Sequence, residues 1–309
     1  MSRAPLWFEA LREATDRGTA LALRARRGLH ALERQAPGPR FEGERLSWRL
    51  RDGVLEVELH GEPCNEIGRQ SLRELERLAE VVRRGAGGAR ALLYYSTMQR
   101  GFCAGADLRE LHEELGRWRA RRVPRDALAL GVGAFLRRIH AAFDTLDAAP
   151  MLTVAAVHGF CFGGGFELAL TADLLVADRS ARFCFPELRL GLVPGFGGIP
   201  RLEREVPGAT VRDLLLTGRS LSAARAHDLG LVTQLVGRGK ALSAARSLAR
   251  QATRFDATTT AEAKRFCKPL PRRRLREERR RFVRRMRAPL VEAALRRFVT
   301  SQDVRPYLP

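Results

Sequence analysis

The chain has 309 residues, 45% of them hydrophobic, with a formal net charge of +20. That is enough to bury one large core or two modest ones, and no run reaches the length of a membrane span. The charge alone would suggest a polyanionic partner, but 52 of the 55 basic residues are arginine and only Lys240, Lys264 and Lys268 are lysine, a skew that fits GC-rich coding bias on solvated faces.

Residues 5–34 read as helical, with Leu6, Trp7, Ala10, Leu11 and Ala14 on one stripe. The segment is Arg-rich like a mitochondrial transit peptide, yet Glu9, Glu13, Asp16 and Glu33 are acids that such peptides avoid. Residues 1–40 are therefore read as an appended helical extension, closed by Pro37-Gly38-Pro39. From Arg45 the pattern alternates with period two, and Asp52-Gly53 turns Leu46, Trp48 and Leu50 back into residues 54–59 as a hairpin. Residues 71–84 carry Leu72, Leu75, Leu78, Ala79 and Val82 at helical spacing, and Ala91-Leu92-Leu93-Tyr94-Tyr95 is a buried strand. A small-residue turn at 101–108 follows, with Asp107 placed as the N-cap of a helix running toward Trp118. A further helix covers residues 128–146.

Residues 152–157 form a β-branched apolar run that breaks at His158-Gly159. Gly163-Gly164-Gly165 follows, and then Phe166, Leu168, Ala169 and Leu170 at helical spacing. Residues 174–177 read as a strand, and residues 181–185 lead to Pro186-Glu187. Ser222 caps a short helix that stops at Gly230, and residues 231–236 return as a strand. From Lys240 the chain is helical and increasingly basic. The organisation expected is an α/β core over residues 41–240 and a basic helical region over residues 241–309. The five cysteines (Cys64, Cys103, Cys161, Cys184 and Cys267) are dispersed, without a CxxC pair or metal-ligand spacing. They point to a reduced, cytoplasmic chain with no metal.

The two strand–turn–helix units, around residues 101–108 and 152–170, are devices for presenting bare backbone N–H groups. Glycine allows close approach, and the first amides of a helix lack intrahelical partners and face negative charge. The N–H groups of Ala106 and Gly164 together could grip one carbonyl oxygen as it gains charge. Glu167 and Glu187 follow the second unit, and neighbouring carboxyls in a low-dielectric cleft separate their pKa values. The chemistry these residues suggest is polarisation of a carbonyl and movement of protons at the adjacent carbon. His158 is read as a turn stabiliser, Cys103 and Cys161 as packing residues, and Asp173 and Asp178 as structural hydrogen bonders. Phe160, Phe162, Phe166, Phe183 and Phe185 are read chiefly as core.

Three ordered blocks resemble the crotonase, or enoyl-CoA hydratase/isomerase, superfamily. They are Phe102-Cys103-Ala104-Gly105-Ala106-Asp107-Leu108, then His158-Gly159 through Gly163-Gly164-Gly165-Phe166-Glu167-Leu168, then Phe183 through Glu187 with residues 191–198 and Arg201-Leu202. The family often carries Thr and Gln where this chain has Ile199 and Pro200. The resemblance implies a spiral of ββα units followed by a C-terminal helical region, and assembly as trimers or dimers of trimers. It implies an acyl-CoA thioester held by the Ala106 and Gly164 N–H groups, with Ala104, Asp107, Phe162 and Gly163 contributing to substrate binding. Coenzyme A is then carried by the substrate, and no separate cofactor is needed. Glu167 would activate the water that attacks C3 of a 2-enoyl-CoA, and Glu187 would deliver a proton to C2. Double-bond isomerisation, or another acyl-CoA lyase reaction, is the alternative through the same enolate.

Ten arginines fall among residues 272–287, against Glu277 and Glu278. A solvated helix ranks first for this run, and a patch meeting the CoA phosphates second. Nucleic acid, with vestigial catalysis, ranks third because Phe282 is the single aromatic available for base stacking there.

Overall fold

The computed structural model describes residues 38–122 and 124–300, so the helix read over residues 5–34 lies outside the described residues. The chain begins as an antiparallel meander of β1 (Arg40–Glu42), β2 (Leu46–Arg51) and β3 (Val54–Leu59). The turn between β2 and β3 places Asp52 at φ 51 and Gly53 at φ 75, the doubly left-handed geometry whose twist suits a two-residue hairpin. Helix α1 (Arg69–Arg83) then lays Leu72, Leu75, Leu78, Ala79 and Val82 into the core, as its apolar spacing predicts.

A repeated unit follows. The first copy is β4 (Ala91–Ser96) and β5 (Gly101–Cys103), followed by helices α2 (Leu108–Ala120) and α3 (Arg125–Asp147). The second is β6 (Leu152–Val157), β7 (Phe160–Phe162) and α4 (Gly164–Ala169). The third is β8 (Leu174–Asp178), β9 (Arg182–Cys184) and a 3₁₀ turn, Pro186–Leu190. The longer strand of each unit joins a seven-stranded sheet ordered β1-β2-β3-β4-β6-β8-β11, where β11 is Gln234–Val236. The shorter strand joins a four-stranded sheet ordered β10-β9-β7-β5, where β10 is Leu221–Ser222. This alternation is the ββα spiral that the sequence blocks imply. Strands β4, β6 and β8 pair in parallel and are covered on both faces, so they read as continuous apolar runs.

Helices α5 (Gly198–Glu205), α6 (Gly208–Thr217) and α7 (Ala223–Asp228) complete the core. Ser222 caps α7 as expected, accepting from Arg225 N. Helix α8 (Ala241–Ala252) packs Ala241, Ala245 and Ala249 onto one face of the large sheet, against Val54, Leu93 and Val154. Helices α9 (Ala257–Cys267), α10 (Arg272–Arg285) and α11 (Pro289–Thr300) then fold back on the core. Val291 and Leu295 of α11 share an apolar cluster with Leu108 of α2 and Leu190. No helix among the described residues is long and apolar enough to cross a membrane.

A buried ionic network ties the end of α3 and the start of β8 to α5 and α9. Arg201, with no exposed surface, donates from Nε to Asp147 and from Nη2 to Asp144, each at 2.7 Å. Lys268, at the C-cap of α9, bridges Asp147 at 3.2 Å and Asp173 at 3.0 Å, while Lys264 of α9 pairs with Asp173 at 2.8 Å. Two of the chain's three lysines thus fasten α9 to the core. Removing one partner from such a network strands a buried charge, so Arg201→Ala should lower the unfolding free energy by about 3–5 kcal/mol. Urea unfolding checks this, and a loss below about 1 kcal/mol, the scale of an exposed pair, contradicts it.

Candidate active site

Strands β5, β7 and β9 are parallel neighbours, with Cys103 opposite Cys161 and Phe162 opposite Cys184. Because they end at one level, the turns that follow them lie side by side: residues 104–107, residues 163–164, and Pro186-Glu187. The crevice outside the carboxyl ends of parallel strands is where α/β folds bind ligands.

The first turn is anchored by residues 64–67. Ala104 N donates to Cys64 O at 2.9 Å, Ile67 N to Gly105 O at 2.8 Å, and Asp107 N to Ile67 O at 3.1 Å. Gly105 sits at φ +106, and a methyl built there would lie 2.9 Å from Phe162 O and 3.3 Å from Gly164 N. Only glycine lets the two turns meet so closely. A methyl on Gly164 would in turn lie 3.4 Å from Ala106 N, so the two turns are close at these residues. Neither N–H has a hydrogen-bond acceptor among the described residues. Asp107 caps α2, its side chain accepting from Glu110 N at 2.8 Å. Gly163 N donates to Cys184 O at 2.9 Å, tying the second turn to β9. The Phe162 ring lies tilted against that of Phe160, with ring centroids 5.1 Å apart.

Glu167 stands in the first turn of α4, but its carboxylate reaches the loop before α5. There Oε1 accepts from Phe196 N and Gly198 N, each at 2.8 Å. Burial pushes its pKa up to about 7, held back by these two amides and by Arg201. Glu187 is only partly covered as a residue, yet its Oε2 is shielded and has no hydrogen-bond partner. Burial, and then the charge of the Glu167 carboxylate, raise its pKa well above the usual range. A methyl on Gly163 would lie 2.8 Å from Glu187 Oε1, which places this carboxyl against the second turn. The structure therefore brings Ala106, Gly164, Glu167 and Glu187 together.

A third carboxylate escaped the sequence reading. Glu278 of α10 accepts from Gly197 N at 2.7 Å and from Ile199 N at 2.8 Å. By composition it is one of two counter-charges in the Arg-rich run, but it shares a helical stripe with Leu275 and Phe282, and that spacing marks the inward face. Glu277, one position earlier, pairs with Arg281 on the outer face. Pro200, in the first turn of α5, sits where a missing N–H is tolerated.

The remaining residues behave structurally. His158 Nε2 donates to Met98 O at 2.9 Å. Cys103 and Cys161 are buried, and burial raises both thiols, Cys103 to about 12. Asp178 accepts from Ser180 N and Gly239 N, each at 2.8 Å. Asp173 accepts from Thr153 N at 2.8 Å besides its two lysines.

The sequence profile of the family described as Enoyl-CoA hydratase/isomerase matches residues 49–286, and the chain belongs to that family. It is 39% identical over 200 residues to human Enoyl-CoA hydratase domain-containing protein 2, mitochondrial, covering 64% of this chain and 63% of the relative. It is 34% identical over 206 residues to carnitinyl-CoA dehydratase of Proteus mirabilis, covering 67% and 73% of the two chains. The chain thus spans less than two thirds of the length of the human protein. Among solved structures it resembles Pseudomonas aeruginosa DspI, with a TM-score of 0.63 and 28% identity over 79% of this chain and 96% of the other. An enoyl-CoA hydratase of Bacillus halodurans shares the fold, with a TM-score of 0.70 and 20% identity over 81% and 98% of the chains.

The carboxyl environments make a spectroscopic prediction. At pH 7 the parent protein should show protonated-carboxyl infrared intensity to which Glu187 contributes, so that Glu187→Gln lowers it. A second group, absent in Glu167→Gln, should pass from protonated to ionised as pH rises through about 7. A Glu187 that titrates near the ordinary glutamate value of about 4.3 contradicts this description.

Proposed function

We propose that this chain adds water across a 2-enoyl-CoA to give a 3-hydroxyacyl-CoA. The observation that carries the reading is a pair of carboxyls unequal in environment, Glu187 against the Gly163 turn and Glu167 on the amides of Phe196 and Gly198, beside the adjoining turns that carry the Ala106 and Gly164 N–H groups. The thioester oxygen accepts from the Ala106 and Gly164 N–H groups, which favours the enolate over the ground state. Glu167, ionised above pH about 7, takes a proton from the water whose oxygen bonds to C3. The C2–C3 π electrons move onto the thioester as an enolate. Glu187, kept protonated by burial and by Glu167, then delivers its proton to C2. Ala104, Asp107, Phe162 and Gly163 form the turns against which the thioester is seated. Coenzyme A arrives with the substrate, so the reaction draws on no further cofactor.

The names of the relatives support an acyl-CoA substrate, since they include a carnitinyl-CoA dehydratase and a methylglutaconyl-CoA hydratase. The proposal extends to a cytoplasmic homotrimer or dimer of trimers, in keeping with free cysteines and with the family resemblance. The arginines of α10 are assigned to solvent and to the CoA phosphates rather than to nucleic acid.

Glu167→Gln keeps the shape and removes the base, so hydration should fall about 100-fold or more. Any isomerisation of a 3-enoyl-CoA should survive that change and be abolished by Glu187→Gln. In the parent, kcat/KM for hydration should decline as pH falls below about 7, because Glu167 then takes up a proton. Steady-state kinetics on the two variants decides the matter. A Glu167→Gln protein that hydrates at the parent rate sinks the two-carboxyl mechanism.

A further inference from the structure

Helix α10 presents arginines to solvent along most of its length, yet Glu278 is only 4% exposed and points at the turn before α5. Four successive amides of that turn alternate between two carboxylates. Phe196 N and Gly198 N donate to Glu167 Oε1, each at 2.8 Å. Gly197 N donates to Glu278 Oε1 at 2.7 Å, and Ile199 N to Glu278 Oε2 at 2.8 Å. The carbonyls of the turn are held as well. Gly195 O accepts from His140 Nε2 at 2.8 Å, while Phe196 O and Gly197 O accept from Arg201 Nη1, each at 3.2 Å.

The approach of α10 to this turn is too close to be incidental packing. A methyl on Gly197 would lie 2.8 Å from Leu275 Cδ2, and one on Gly195 would run into the Phe282 ring. Gly197 also sits at φ +104, which turns its N–H away from Glu167 and toward α10. Side chains hydrogen-bonded to the turn come from four elements: Glu167 from α4, His140 from α3, Arg201 from α5 and Glu278 from α10. Of these, Glu167 and Glu278 alone accept from its amides.

We propose that Glu278 is a positioning residue for Glu167, holding the 196–199 turn so that two amides fix Oε1 and leave Oε2 free for the proton of the attacking water. This rests on the hydration reading of the site. Glu278 touches no substrate and acts only through Glu167. A cap that merely stabilised α5 would not depend on whether Glu167 is present.

The test joins a mutant cycle to amide exchange. Glu278→Gln exchanges one acceptor oxygen for an NH₂ group, so one of the two turn bonds is lost. On the best substrate of a 2-enoyl-CoA panel, kcat should fall about 10- to 100-fold with KM little changed. Added to Glu167→Gln, the same substitution should change kcat by no more than about threefold, because its effect passes through Glu167. Amide exchange followed by NMR should show Phe196 and Gly198 losing protection together with Gly197 and Ile199. Parental kcat in Glu278→Gln overturns the proposal, as does a further tenfold loss in the double variant. Unchanged protection at Phe196 and Gly198 overturns it too. If the parent hydrates no 2-enoyl-CoA, the hydration reading fails by itself. The exchange pattern then decides the clamp alone.

Discussion

Glu167 and Glu278 are buried carboxylates whose hydrogen bonds come from backbone amides rather than from a cation. Removing a carboxylate from water costs several kcal/mol unless its lone pairs are satisfied. Four consecutive amides of residues 196–199 meet that demand for both groups at once. The turn can offer its N–H groups outward only because something else holds it from behind. Arg201 does so through two carbonyls, and Asp144 and Asp147 hold Arg201. Lys268 extends the chain of contacts to α9, so the C-terminal helices help set the geometry of the site.

The same constraint explains why the two glutamates of the cleft differ. Glu167 has amide donors that favour its ionised form, which limits how far burial raises it. Glu187 has a buried oxygen with no donor at all and is raised further by a neighbour of like charge. One chemical group therefore occupies two protonation states near neutral pH, the condition for acid and base to work in one cleft. The parallel pairing of β5, β7 and β9 does the rest. It brings Ala106, Gly164 and Glu187 to one rim although more than eighty positions separate the first from the last.

Features encoded within a few residues were legible in the sequence. The Asp52-Gly53 hairpin, the Asp107 and Ser222 caps, and the glycine turns all depend on local backbone chemistry. The family was legible because its motifs are such local devices in a fixed order. The strands β1, β5, β7, β9 and β10 are not legible, since two or three residues are too few to display a period. Glu278 was hidden for a different reason. Charge in its helix is dominated by exposed arginines, and its burial is decided by a turn eighty positions away. The partnership of Lys264 and Lys268 with Asp173 is equally non-local.

The central claim is that this cleft adds water rather than moving a double bond. A panel of 2- and 3-enoyl-CoA esters incubated in heavy-oxygen water and read by mass spectrometry tests it directly. Hydration yields a product heavier by one water whose new hydroxyl carries the solvent label. An unchanged mass with a displaced double bond contradicts the account, and so does an absence of turnover accompanied by salt-dependent RNA binding.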